Sequence, residues 1–189
     1  YVNNLKEPDI TSSEIDPAML GNILHEVMKR VYFDYTGKVL SPETLKHILA
    51  GVNSLQAIIR DVISELFRDN SYGLTGGNEL IIMDVLLAYV QRIIQADISI
   101  SPLTIMNLEE RFSFVVNTVS DGNNLEILTG GTIDRVDVVS GITRIVDYKT
   151  GAVAEALGSV GELFTDDRKK ESDGWLQTLI YCEAYVAEK

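Results

Sequence analysis

The hydrophobic period of this chain changes once, at Pro102, and the change splits it into a helical first part and a strand-rich second part. Over residues 14–35 the apolar side chains Met19, Leu20, Ile23, Leu24, Val27, Met28, Val31 and Tyr32 recur at three and four, the spacing of an amphipathic helix, and Gly37 stops it. Ser41 as N-cap and Pro42 in the first turn open a second helix, expected to run unbroken to about Asp69. Its apolar face carries Leu45, Ile48, Leu49, Val52, Leu55, Ile59, Val62, Ile63 and Leu66. A Gly-rich turn over 73–77 leads to a third helix, capped by Asn78 and reaching about Ile98. Isolated amphipathic helices gain little, so these faces must pack on each other or on a common core.

Beyond Pro102 the pattern is near alternation in Val, Ile, Phe and Thr. Segments 111–119, 125–139 and 142–148 read as strands of an antiparallel meander, separated by Ser120-Asp121-Gly122-Asn123 and by the two-residue turn Ser140-Gly141. Residues 150–172, with Gly151, Gly158 and Gly161 and mixed charge, read as a long, partly ordered connection. Asp173 then caps a last helix through Trp175, Leu176, Leu179, Ile180 and Ala184.

Composition narrows the function. The chain has 189 residues, with 16 Lys and Arg against 28 Asp and Glu, a net charge of −12. That balance excludes a basic nucleic-acid module of the histone or arm type. The length suits one domain, and 46% apolar residues are enough for a core. Cys182 stands alone, so the chain forms no internal disulfide and cannot by itself hold an iron–sulfur cluster, and the lean is toward a reducing cytoplasm. No run of about 18 uncharged apolar residues marks a membrane span, since Asp84 interrupts the greasiest stretch. The N-terminus has no apolar leader region and no initiator Met, so the expectation is a piece of a longer protein.

Chemistry concentrates in the meander. Asp147 and Lys149, at i and i+2, point to one strand face, with Tyr148 on the other, and a hairpin can bring Asp134 onto the face of Asp147. Two carboxylates converging this way call for a compensating cation or an unusual proton; Lys149 supplies part of the compensation, and a hard divalent ion would supply more. The alternative is a solvated strand face whose Asp and Lys pair weakly. Arg135 lies on the opposite face, where an ion pair with Asp137 or with a helix residue is the natural reading. Of the two histidines, His25 sits beside Gly21, Met28 and Tyr32 at the margin of an apolar stripe, open to a hydrogen-bonded or a metal-ligating role, whereas His47 reads as surface.

Four strings occur in order: Gly21 with His25, the GTIDRVD stretch over 131–137, the IVDYKTG stretch over 145–151, and Gln177 with Tyr181. This set resembles the PD-(D/E)XK nuclease superfamily, specifically the RecB-like and AddB-like nuclease domains of helicase–nuclease complexes, with CRISPR-associated RecB-like nucleases as more distant relatives. The resemblance spans residues 21–181. It implies an α/β, restriction-endonuclease-like core, a small mixed β-sheet flanked by helices, forming a single nuclease domain over 1–189 with residues 41–100 as a helical insertion.

The resemblance also implies roles. Asp134 and Asp147 would ligate Mg²⁺ or Mn²⁺, with His25 and the backbone carbonyl of Tyr148 as further ligands. Lys149 would position or help deprotonate the attacking water and steady charge on the phosphorus oxygens. Gln177 and Tyr181, in a stripe with Tyr185, would order the lysine strand or contact the DNA backbone. Relatives carry a glutamate near the start of the first strand, which here is Glu109 or Glu110. An acid one turn after the motif histidine is replaced by Lys29, and the cysteines of iron–sulfur members are missing. The implied activity is metal-dependent DNA hydrolysis, as the exonuclease module of a repair and recombination system. With only Arg168, Lys169 and Lys170 as a compact basic cluster, DNA would be delivered by a helicase subunit or another domain. The competing reading is an inactive nuclease-fold scaffold that holds DNA without cutting it.

Overall fold

The computed structural model describes residues 17–66, 76–120 and 122–187. Helix α1 spans Pro17–Tyr32 and runs on into a 3₁₀ turn at Phe33–Tyr35. Gly37 ends this stretch at φ +74°, a left-handed conformation suited to glycine, and its N–H donates to the Ile105 carbonyl at 2.8 Å. A short strand β1 follows at Val39–Leu40. It escaped the sequence reading because two residues carry no period.

The single long helix expected from Ser41 is two helices, α2 at Pro42–Ala50 and α3 at Val52–Leu66. Ser41 caps α2 as expected, its hydroxyl accepting the Thr44 N–H at 3.2 Å. Gly51 makes the break. Its N–H bonds the Ile48 carbonyl, and its own carbonyl accepts the N–H groups of Ser54 and Leu55, so one residue closes one helix and opens the next. A glycine costs about 1 kcal/mol in a helix interior, and the break re-phases the apolar face. Leu45 and Leu55 are buried while Val52 stays exposed. The expected end near Asp69 and most of the Gly-rich turn lie outside the described residues.

Helix α4 spans Gly76–Ile100 and buries Ile82, Leu86, Val90, Ile94 and Asp97. Its bounds exceed the expected segment by two residues at each end, and Asn78 lies inside the helix. After Pro102, strand β2 runs over Leu103–Ser120, β3 over Asn123–Val139 and β4 over Ile142–Val146. The sheet order is β1-β2-β3-β4. The α/β architecture is as expected, but every described pairing is antiparallel rather than mixed, because successive hairpins build the sheet. The turn at Ser140-Gly141 places both residues at positive φ, as a two-residue hairpin of this kind requires. Strand β2 starts eight residues before the alternation suggested, since Leu103 and Ile105 are covered by the helices.

The helices α1 to α4 and the sheet share one core, in which Ile23, Val27, Tyr32, Leu55, Ile59, Leu86, Ile94, Ile105 and Tyr148 are buried. Residues 150–172 contain two 3₁₀ turns, Val160–Phe164 and Lys170–Ser172, and lead to α5 at Asp173–Ala187. Tyr181 and Ala184 of α5 pack against Phe112, Ile133 and Val136 of the sheet in a smaller cluster. Asp173 is its first residue, paired with Arg168 at 2.8 Å. No helix among the described residues is long and apolar enough to cross a membrane.

Candidate metal centre and its lysine

Three acidic residues lie in one row across the sheet. The β2–β3 register pairs Leu108 with Arg135 and Glu110 with Ile133, so Glu109 stands opposite Asp134. The last β3–β4 pair is Arg135 with Val146, and Asp147, the next residue and just past that pairing, falls on the side of Asp134, whose charge it feels. Neighbouring strands lie about 4.8 Å apart, so the chain sets three like charges side by side. Glu109 adopts φ +53°, a left-handed conformation rare for a residue with a side chain.

His25 comes to this row from α1. Its Nδ1 lies 3.1 Å from Asp134 Oδ1 and 3.9 Å from Glu109 Oε1, and its Nε2 lies 3.0 Å from the Tyr148 carbonyl. A carbonyl only accepts, so Nε2 carries the hydrogen. The hydrogen bond to Asp134 raises the His25 pKa, burial lowers it, and the Asp134 and Glu109 charges raise it further, leaving it above the ordinary imidazole value. One ligand atom from each of His25, Glu109 and Asp134 fits within 4.8 Å of the others. Gly21, one turn before His25, lies where an added Cβ would touch the Thr150 hydroxyl at 3.6 Å, so the start of α1 rests on the segment after Lys149.

Asp147 stands beside this cluster with its two oxygens in different states. Oδ2 pairs with Lys149 Nζ at 2.8 Å, while Oδ1 is buried with no hydrogen-bond partner among the described residues. Burial raises its pKa, the Lys149 hydrogen bond lowers it and the Asp134 charge raises it, with a net upward shift. Burial likewise pushes Glu109 up, with Asp134 adding to the effect. Raised carboxylates around an orphaned oxygen are what a set of cation ligands looks like before its charge is balanced. One nitrogen and several carboxylate oxygens suit a divalent cation.

Lys149 is held from two sides. Besides Asp147 it donates to Gln177 Oε1 at 2.7 Å, and Gln177 Nε2 donates to the Tyr181 hydroxyl. Lysine can only donate, which fixes the amide with its oxygen toward Lys149. Tyr181 is anchored edge-on against Phe112, ring centroids 5.4 Å apart, above Gly131. Open clefts flank Gln177. One, of about 360 Å³, is lined by Lys149, Gly151, Lys170 and Gly174, and another, of about 430 Å³, by Gly130, Gly131, Arg168 and Tyr181.

The structure therefore brings together His25, Asp134, Asp147, the Tyr148 backbone, Lys149, Gln177 and Tyr181. It puts Glu109 in the cluster and leaves Glu110 with a buried Oε2 that has no hydrogen-bond partner among the described residues. The sequence left that choice open, because a left-handed residue inside a strand has no signature. Lys29 pairs with Glu26 at 3.5 Å, and His47 is exposed.

A family model of the PD-(D/E)XK nuclease superfamily matches residues 1–189, and the chain belongs to that superfamily. No curated protein and no solved structure matches it.

Proposed function

We propose that this chain is a Mg²⁺- or Mn²⁺-dependent deoxyribonuclease domain, the exonuclease module of a RecB-like or AddB-like helicase–nuclease system, with residues 41–100 as a helical insertion. The observation that carries the reading is the divided carboxylate of Asp147, one oxygen on Lys149 and the other buried, without a partner among the described residues, beside the His25, Glu109 and Asp134 cluster. The residues fit a divalent ion, which His25, Glu109 and Asp134 would hold, with Asp147 and the Tyr148 carbonyl adjoining. Such an ion supplies a nucleophile at neutral pH and relief of charge on an already anionic phosphodiester.

The chain's own groups do the rest. Lys149, fixed by Asp147 and Gln177, presents its ammonium to the attacking water and to the phosphorus oxygens as their charge grows. Gln177 keeps the lysine from collapsing wholly onto Asp147, and Tyr181 keeps Gln177 in place. His25 donates Nε2–H to the Tyr148 carbonyl, which orients the ring so that Nδ1 faces the carboxylates. With a net charge of −12, the domain has little general attraction for DNA, so a helicase subunit or a neighbouring domain delivers the strand to the clefts beside Gln177.

Cleavage of end-labelled single- and double-stranded DNA with Mg²⁺, Mn²⁺ or EDTA tests this, wild type beside Asp147→Ala and Lys149→Ala. Metal-dependent cutting lost in both variants is expected. Mn²⁺ binding without cutting would mark a site waiting for its partner, and neither binding nor cutting would favour the inactive scaffold.

A further inference from the structure

Arg135 heads the largest fully buried side chains of the described residues, and it sits directly beneath the acidic row. Its two terminal nitrogens grip both oxygens of Asp97 on α4, at 2.7 and 2.8 Å. Its Nε donates to Asp137 at 2.9 Å, and Arg144 holds that same carboxylate from the other side at 2.8 Å. One Arg135 nitrogen also donates to the Tyr148 hydroxyl at 3.2 Å. Two arginines and two aspartates balance. Yet a buried ion pair seldom adds stability over apolar residues of equal volume, so stability alone is a poor account of the three buried charges, Arg135, Asp97 and Asp137.

The location suggests another. Strand pairing of β4 ends at Val146, and Asp147, Tyr148 and Lys149 lie beyond it. What fixes this segment is Tyr148. Its N–H donates to Asp134 Oδ2 at 2.7 Å, its carbonyl accepts from His25, and its hydroxyl accepts from Arg135. Arg135 is the chain neighbour of Asp134, and Tyr148 that of both Asp147 and Lys149. The contact between them therefore sets the spacing of the two aspartates from below.

We propose that Arg135, aimed by Asp97, is a positioning residue for the metal centre, acting through the Tyr148 hydroxyl. The consequence is that α4, which itself carries none of the ligands, governs ligand spacing. The inference rests on the metal site proposed above. It is tested by Mn²⁺ titration calorimetry and thermal unfolding of the apo protein, wild type beside Tyr148→Phe and Tyr32→Phe. Each variant loses one buried hydroxyl from the same network, since Tyr32 donates to Asp97 Oδ2 at 2.6 Å. Tyr148→Phe is expected to weaken Mn²⁺ binding about tenfold, in the range for groups that orient metal ligands, while Tyr32→Phe, which leaves Arg135 and Tyr148 joined, changes it less than about twofold against the same scale. Wild-type binding in Tyr148→Phe, or equal losses in both variants, would overturn the inference alone. Failure of the wild type to bind Mn²⁺ would overturn the metal site and this inference together.

Discussion

Asp134 holds the backbone of Tyr148: its Oδ2 accepts the Tyr148 N–H at 2.7 Å while its Oδ1 faces His25 Nδ1 at 3.1 Å. One carboxylate thereby joins β3, α1 and the end of β4. Asp134→Asn keeps an oxygen for the Tyr148 N–H and removes the charge. The expected outcome is a folded protein whose Mn²⁺ affinity falls by at least about 100-fold, the upper end for groups that merely orient ligands. Circular dichroism checks the fold and calorimetry the affinity. The His25 pKa, raised first by Asp134, should fall in the same variant, read by NMR titration of the imidazole.

Lys149→Ala removes the donor that touches both Asp147 and Gln177. Because the lysine is no ligand, Mn²⁺ binding is expected to persist. Turnover is expected to fall by about 10²- to 10³-fold, as when a single donor to developing charge is removed. Single-turnover cleavage at saturating metal measures it, and equal loss of metal binding and turnover would instead make the lysine a structural support of the site.

The pH dependence follows from His25. Its folded pKa is raised, so the protonated ring stabilises the apo protein. That contribution is complete below the unfolded imidazole value of about 6.5 and is lost as pH rises through the folded value. A metal ligand must release the Nδ1 proton, so in the neutral range Mn²⁺ affinity is expected to climb with pH and to level once the raised folded value of His25 is passed. Calorimetry across that range, with His25→Gln as the flat control, checks the sign.

At Gly130 β3 leaves no room toward β2 for a side chain. A Cβ there would lie 2.8 Å from the Phe112 carbonyl oxygen, a backbone atom that cannot swing aside. Gly130→Ala is expected to cost about 1–3 kcal/mol, the range for overpacking. Gly151→Ala, with nothing within 4 Å of the added methyl, should be close to neutral in the same thermal unfolding series.

The sequence was most legible where chemistry and period coincide. Alternation and the Ser140-Gly141 turn located the β3–β4 hairpin, and with it the opposition of Asp134 and Asp147. The reading of Arg135 as paired with Asp137 or a helix residue holds for both, through Asp137 and Asp97. What stayed hidden was decided by tertiary packing. Gly51 interrupts an apolar stripe whose spacing continues across it. Glu109 joins the site through a left-handed backbone that no residue type signals. Asp97 did leave a trace, an acid on the stripe of Val90 and Ile94, and such a residue buried on a helix demands a partner.

The β2–β3 ladder outruns its neighbours at both edges. Helix α5 reaches its near end at Phe112, but from Ser113 paired with Gly130 to Ser120 paired with Asn123 it is a two-stranded ribbon whose Val115, Val116, Val119, Ile127 and Leu128 remain exposed. Ribbons of this kind have little stability of their own. Amide exchange should therefore run as a gradient, fast at the ribbon tip and slowest in the layer of Arg135 and Tyr148, so the hairpin can fray without disturbing the carboxylates at its root.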